Sequence, residues 1–323
     1  MSRGENPMAT HLEKTESFDD AFFQQNLPQY YRSFLLGFRK VARSFIAFNL
    51  IYILLFVGEL FLFFFFLPAL TKSAMAAFAL GALFLTCFSY VILLFYYQAK
   101  KPEQLIQLRD RFLTSCKQIL MVPEGEAEHH LSLADALSKL AAYLQDAELT
   151  FCKMPKIIAR FSSYSFSADV VKMKLLLLQQ AVDEHLKQVR ITPTHLEVHA
   201  SLAGTYVALS TVYRQMALEE KYRVSARLAI EEFSILSYYA PNDPWVHEQL
   251  ALGYHDLGMP EEETREVETL LKLRSQDKDV LYRLGTLYFR QGMNAKGLQV
   301  YEELKRGNFK KAEDLIASYG NFS

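Results

Sequence analysis

Cysteine is scarce. The 323-residue chain holds three, Cys87, Cys116 and Cys152, in no metal-type pair and no even-numbered disulfide framework. Neither a stapled secreted domain nor a zinc ribbon is encoded, and a reducing compartment suits the part outside any membrane. An excess of either charge is also missing: 35 basic residues stand against 36 acidic ones, which gives no general pull toward nucleic acid. No glycine-rich phosphate loop, Gly-x-Ser-x-Gly elbow or Cys/His nucleophile arrangement is found. His195-Leu-Glu-Val-His199 places two imidazoles four residues apart, the spacing of a helical zinc site. Glu197, however, stands one place later than a zinc protease needs, and no third ligand is evident. His129-His130 reads as a loop pair. These absences point away from an enzyme, a metal and a cofactor.

Long apolar runs are what the chain has instead. Residues 44–67 and 74–97 form two 24-residue stretches, each about 36 Å long as a helix at ~1.5 Å per residue. That is enough to cross a hydrocarbon core of roughly 30 Å with some tilt. Only Pro68-Ala-Leu-Thr-Lys-Ser73 separates them, so the pair is expected to be a transmembrane helical hairpin. A cleaved signal peptide is discarded, because 43 mostly polar residues precede the first run and the run is too long for an h-region. Arg32, Arg39, Lys40 and Arg43 precede the first span, Lys100, Lys101, Arg109 and Arg111 follow the second, and Lys72 stands alone in the turn. Lys and Arg are retained on the cytoplasmic side of a span, so both termini are expected there.

Within the first run Glu59 is the one carboxylate. An ionisable residue deep in a span costs ~2.5–3.5 kcal/mol on insertion scales, so Glu59 is expected to face the second span. It would lie opposite Gly81 to Thr86, where Ala74, Ala77, Gly81 and Ala82 would let the backbones approach. Two readings stay open: a protonated Glu59 donating to Thr86 or a backbone carbonyl, or a contact to a partner's helix or a proton relay. Asn49, Glu59, Thr86 and Ser89 are too few polar groups for a conduction path through one chain. An oligomer of like or unlike chains in the membrane stays open.

Residues 1–28 are polar and net acidic and read as a tail. Beyond the second run, Leu105, Leu108, Phe112, Cys116, Ile119 and Leu120 fall near helical spacing up to the break at Pro123-Glu-Gly-Glu126; a juxtamembrane helix is expected there. Further on the sequence repeats. Ala181 aligns with Ala229, Pro193 with Pro241, Val198-His199 with Val246-His247, Leu202-Ala203 with Leu250-Ala251 and Tyr206 with Tyr254, at an offset of 48. Val246, Leu250, Ala251, Tyr254 and Gly258 then fall on Val280, Leu284, Gly285, Tyr288 and Gly292, at an offset of 34. This is a repeat array, and His199 is explained by its counterpart His247. Leu, a small residue and Tyr three further on put a knob, a close-approach point and a ring on the packing face of one helix. Ala229 and Phe233, four apart, do the same on the next, with Tyr301 in that place in the last unit; Pro241 ends the helix.

At these residues the chain resembles the tetratricopeptide repeat family, whose unit is 34 residues with Leu-Gly/Ala-x-x-Tyr in its first helix. The 14 extra residues of the unit before the last two are expected between Tyr206 and Ala229, in a longer first helix and its turn. A degenerate earlier unit would pair residues 133–144 with a helix ending at 175–188, and Gly307-Asn-Phe-Lys-Lys-Ala312 looks like the start of a capping helix. The resemblance implies an α-solenoid whose first helices line a concave groove. Its groove positions fall on Trp245, Glu248, Leu252, His255 and Asp256, then on Asp279, Tyr282, Thr286, Phe289 and Arg290. Aromatic anchors with a few charges suit a peptide or helical segment of another protein. The family's carboxylate clamp for chaperone tails needs Lys and Asn where this chain has Ala200 and Gly204, Glu248 and Leu252, or Tyr282 and Thr286, so that ligand is not expected.

The expected architecture is all-α: a polar tail and basic segment over 1–43, a transmembrane helical hairpin over 44–97, a juxtamembrane helix and linker over 98–130, and a cytoplasmic repeat domain over 131–323. The expected function is a membrane-anchored scaffold whose partners are other proteins and the lipid bilayer, not nucleic acid. The alternative is a non-catalytic subunit of a membrane transport or secretion complex that uses Glu59 for helix pairing. Two spans joined by a short turn, with both tails on one side, also resemble the bilobed hydrophobic domain of chlamydial inclusion-membrane proteins, which implies tails facing host cytosol.

Overall fold

The computed structural model describes residues 28–70, 75–120, 126–151 and 156–319. The N-terminal tail, the turn with Lys72 and Ala74, the Pro123 break and Cys152 lie outside the described residues. Among the described residues there are eleven α-helices and no strand: α1 (Pro28–Leu70), α2 (Met75–Ile119), α3 (Ala127–Phe151), α4 (Lys156–Ile191), α5 (Leu196–Gln215), α6 (Glu219–Tyr239), α7 (Pro244–Leu257), α8 (Pro260–Leu273), α9 (Lys278–Arg290), α10 (Asn294–Arg306) and α11 (Ala312–Tyr319). Two compact units divide the chain. One holds the described residues of 21–123 and 136–177, the other those of 124–135 and 178–323.

In the first unit α1 and α2 are 43 and 45 residues long, about 65 Å at ~1.5 Å per residue, nearly twice the apolar run of each. Both are long and apolar enough to cross a membrane. They pair antiparallel in one register. Glu59 faces Thr86, Tyr52 faces Tyr90 at 5.5 Å, Phe45 faces Tyr97 at 6.5 Å, and Tyr31 stacks on Phe112 at 5.8 Å. Phe38, Phe45, Tyr52 and Glu59 recur every seven residues, the period that keeps one stripe on the partner helix. The small residues lie off this seam. Ala77, Gly81 and Ala82 are exposed, and a Cβ on Gly81 would meet nothing within 4 Å. The expected close backbone approach there is therefore corrected: the seven-residue phase turns these positions outward and puts rings and Thr86 between the helices.

Neither helix stops where the apolar run stops. Residues 28–43 and 98–119 continue α1 and α2, in place of a separate basic segment and juxtamembrane helix. Phe34, Leu35 and Phe38 on α1 and Leu105, Phe112 and Cys116 on α2 are buried. The basic residues between them hide that apolar face from a run-based reading. Tyr31 also stacks on Tyr143 of α3 at 6.1 Å and donates to the Ala136 carbonyl at 3.5 Å. Lys101 pairs with Asp169 of α4 at 2.5 Å. Burial raises the Asp169 pKa and the Lys101 contact opposes that rise.

The second unit stacks helical hairpins, α5 with α6, α7 with α8 and α9 with α10, closed by α11. Asp243 caps α7 by accepting the Trp245 N–H at 2.9 Å, and Asp277 caps α9 by accepting from Asp279 and Val280, the exchange that satisfies free N–H groups at a helix start. The turns pass through left-handed backbone at Gly258 (φ 68°) and Gly292 (φ 72°). The following amides return to the carbonyls of Tyr254 and Tyr288 at 2.9 and 2.8 Å, a glycine-dependent helix stop. Ala217 (φ 55°) does this in the first hairpin, with the Leu218 N–H on Tyr213.

Measured from that turn, the 14-residue insertion divides equally. Tyr206 to Ala217 is 11 residues against 4 from Tyr254 to Gly258, and Ala217 to Ala229 is 12 against 5 from Gly258 to Glu263. Each helix gains seven residues, about two turns, so both keep their packing faces. The first helix and its turn alone do not absorb the insertion. Ala181, Leu202, Ala203, Tyr206, Ala229, Phe233, Leu250, Ala251, Leu284, Gly285 and Tyr288 are buried, and Tyr254 and Tyr301 half-buried. Residues 133–144 and 175–188 belong to helices of 25 and 36 residues, unlike the paired helices of repeat length that follow.

Candidate protein-binding groove

Trp245 stands in the first turn of α7, fixed by the Asp243 cap and edge-on to Phe233 at 5.7 Å, and 39% of it stays exposed. Leu252, two turns further, is 46% exposed. At the equivalent place in α5 a Cβ on Gly204 would meet nothing within 4 Å, and Val207 is exposed. Thr286 is half-buried and bonds back to the Tyr282 carbonyl at 3.0 Å. The charged positions are tied down: Glu248 to Arg274 at 3.2 Å, His255 to Glu263 at 3.0 Å, Asp279 to Lys311 at 3.2 Å. Asp256 pairs with Arg214 at 3.2 Å, and its carbonyl accepts from the Tyr222 hydroxyl at 2.8 Å, so the elongated α5–α6 hairpin holds the end of α7. Arg290 is exposed.

Phe289 does not belong to this row. It is 2% exposed, because its ring fills the space where a Cβ on Gly297 would sit and rests on Tyr319 at 4.9 Å. Tyr282 lies against Phe309 at 6.1 Å. The terminal segment thus covers part of the third row, and Gly297 opposite Phe289 was the signal for it.

The repeated histidines are structural. His199 is held between the Glu232 carboxylate on Nδ1 (2.5 Å) and the Pro193 carbonyl on Nε2 (2.9 Å). His247 is held between Glu266 (2.7 Å) and the Pro241 carbonyl (2.9 Å). Pro193 and Pro241 are exposed and act through these carbonyls. A carbonyl oxygen only accepts, so each Nε2 carries a proton. Both nitrogens of His199 are thus committed, and His195 is exposed, 3.9 Å from Glu197. The zinc spacing closes no site. Among the described residues no three His, Cys, Asp or Glu are placed to hold a metal.

His129 and His130 lie in the first turn of α3, not in a loop, since that helix starts at Ala127. His130 meets Glu184 at 2.8 Å, and Lys187 meets the other Glu184 oxygen at 2.8 Å. Burial pushes the Glu184 pKa up, but the bonds to Lys187 and His130 outweigh it and the net shift is downward. Next to it His185 is fully buried, 3.2 Å from the Ser201 hydroxyl. Burial pushes its pKa down to about 4. A ring with no exposed surface cannot serve a substrate, so this pair is core rather than a nucleophile with its base.

In the hairpin, Thr86 donates to Glu59 Oε1 at 2.8 Å, while Glu59 Oε2 has no partner among the described residues. Tyr90 donates to Asn49 at 2.8 Å. A mostly apolar cavity of about 280 Å³ lies beside them, lined by Tyr52, Ile53, Phe56, Val57, Thr86, Cys87 and Tyr90.

No family model matches the chain, and no curated protein does. Solved structures do. TTC0263, a thermophilic TPR protein in Thermus thermophilus, is 20% identical, with 61% of this chain and 98% of that one covered and a TM-score of 0.32. MamA of MSR-1 is 17% identical over 55% of this chain and 97% of its own, with a TM-score of 0.31. The human IFIT1 dimer with PPP-AAAA is 14% identical over 76% and 71%, with a TM-score of 0.34. Scores this low add nothing to the geometry. The antiparallel helix pairs, the left-handed turn residues and the 34-residue spacing themselves make the second unit a tetratricopeptide-type helical-repeat array.

Proposed function

We propose that this chain is a membrane-anchored helical-repeat scaffold that binds segments of other proteins along the first helices of its array. The observation that carries this is the pair Trp245 and Leu252, exposed by 39% and 46% on a helix whose inward positions Leu250 and Ala251 are buried to 2% and 0%. Large apolar side chains left open beside a polar, ion-paired rim are the usual anchor arrangement of a protein interface. The α1–α2 hairpin supplies the anchor. The cations flanking its apolar runs support a cytoplasmic side for both chain ends, and tethering raises the local concentration of the array, so that modest groove affinity suffices.

Cross-linking mass spectrometry of the full chain in its membrane tests this. Trp245→Ala with Leu252→Asp should remove about nine-tenths of the partner cross-links to α5 and α7, as loss of two anchors predicts, while helicity and thermal unfolding stay as in the unaltered chain. Partner cross-links that survive these substitutions would end the groove reading. A second reading is favoured by the unpartnered Glu59 Oε2: the chain is a subunit of a membrane complex that pairs through its hairpin. In that case Glu59→Leu disperses the complex and the groove substitutions leave it whole.

A further inference from the structure

We propose that the positive collar where α1 and α2 leave their apolar runs is a binding surface for anionic phospholipid headgroups. The inference rests on the reading of these helices as spans and deepens it by naming the lipid class the hairpin selects.

The collar has cations and almost no anions. From Pro28 to Gly58, α1 carries Arg32, Arg39, Lys40 and Arg43 and no Asp or Glu; α2 has no carboxylate from Met75 until Glu103, just past Lys100 and Lys101. The two clusters lie at one height. Phe45 faces Tyr97 at 6.5 Å, and the Lys101 ammonium sits 4.4 Å from the centre of the Phe45 ring. Lys101 itself is taken by Asp169. Lys100 is held by a neutral group, donating to the Tyr96 hydroxyl at 2.9 Å. Lys40 and Arg43 are exposed, and among the described residues no carboxylate meets either.

Several exposed cations of the array are paired instead. There Arg223 meets Glu219 at 2.8 Å, Arg306 meets Glu302 at 3.2 Å and Lys311 meets Asp279 at 3.2 Å. Cations left open in a ring, at the level where an apolar surface ends, complement a layer of phosphodiesters. The attraction reaches about 10 Å at 0.1 M salt. Lys40 and Arg39, one turn from Arg43, lie within that reach; Arg32, eleven residues and about 16 Å further along α1 at ~1.5 Å per residue, does not.

The test uses the full chain reconstituted into phosphatidylcholine vesicles, with spin-labelled phosphatidylglycerol or phosphatidylcholine as the probe of lipid held at the protein. Phosphatidylglycerol should be held about three-fold more strongly or better at ~0.1 M salt, and the preference should fall toward parity at ~1 M. Lys40→Gln with Arg43→Gln and Lys100→Gln should abolish most of it; Arg32→Gln, and Arg306→Gln in the array, should leave it intact. Equal holding of the two lipids at low salt overturns the inference. So does a preference untouched by the triple substitution, or one that inorganic phosphate removes at matched ionic strength, which would mark a free-anion site. Extraction of the chain by alkaline carbonate would instead defeat the reading of α1 and α2 as spans, and this inference with it.

Discussion

The hairpin and the array use the same residue types in opposite senses. In the array Phe233 and Phe289 are buried to 3% and 2%; in the hairpin Phe78 and Phe84 are exposed by 80% and 73%. Several exposed cations of the array, Arg223 and Arg306 among them, end on carboxylates, while Lys40 and Arg43 of the collar meet none among the described residues. Polar groups of the hairpin turn inward and meet each other, Thr86 with Glu59 and Tyr90 with Asn49. Water outside rewards the first arrangement, and hydrocarbon outside rewards the second, because a polar group left facing lipid has nothing to bond. The proposed membrane anchoring accounts for both arrangements in one chain.

The sharpest break of that comparison is a phenylalanine removed from each side. Phe289→Ala should cost about 3–5 kcal/mol, the loss of a buried ring and the cavity it leaves. Phe78→Ala should shift stability by less than about 0.5 kcal/mol. Trp245, the single tryptophan, lies in the array, so denaturant unfolding followed by its fluorescence reads Phe289→Ala, and steric-trap unfolding of the reconstituted hairpin reads Phe78→Ala. Equal effects of the two substitutions would contradict the assignment of inside and outside.

Acid should separate the two units next. Burial lowers the His185 pKa from 6.5 to about 4, so between those values the folded array binds fewer protons than its unfolded chain. Its contribution is whole above about pH 6.5 and is lost as the pH falls toward 4, up to roughly 3 kcal/mol. Glu184, lowered on balance, acts in the same direction. Helices α1 and α2 contain no histidine. Tryptophan fluorescence should therefore report acid melting while the helicity of the hairpin persists, and His185→Leu should flatten the pH dependence. An array melting no more easily at pH 4.5 than at 7, on the scale the linkage predicts, would remove the buried neutral ring from the account.

Within the array the third unit already carries the control for a smaller effect. Leu281 stands 34 residues after His247, so His199→Leu and His247→Leu each copy a natural alternative. Each leaves a half-buried carboxylate and a proline carbonyl without a donor and should cost about 1–3 kcal/mol in thermal unfolding. Costs near zero would show that packing rather than the two bonds per ring holds these junctions.

Much of this division was readable from sequence, and the misses share a physical cause. Two 24-residue apolar runs predict a pair of long helices, a form that would hide so much backbone in lipid, and the pair of long helices is found. Leu202, Leu250 and Leu284 mark packing faces because the repeat superimposes them. What composition could not give was phase and partner. Gly81 looks like a contact until the seven-residue period of Phe38, Phe45, Tyr52 and Glu59 places the seam elsewhere. Phe289 occupies a groove position by count and a core position in fact, because Gly297, on α10 in the actual register of that helix against α9, makes room for it. The continuation of both apolar helices into buried helix was masked by the cations that flank the apolar runs. Of the proposed groove positions, the exposure of Trp245 and Leu252 matches the outward phase that the repeat assigns them.

The smallest expected effect concerns the carboxyl in the hairpin. Thr86 donates to Oε1, no cation meets Glu59 among the described residues, and Oε2 is left without a partner. What links the two helices at this depth is thus one hydrogen bond rather than an ion pair. Glu59→Gln keeps an oxygen for Thr86 and should leave hairpin stability within about 0.5 kcal/mol, whereas Thr86→Val removes the donor and should cost about 0.6 kcal/mol, the typical worth of such a bond between membrane helices. Steric-trap unfolding of the reconstituted hairpin resolves the two. If Glu59→Gln proves the more damaging substitution, the negative charge itself is engaged, and the second oxygen must then be bound by a group from another chain.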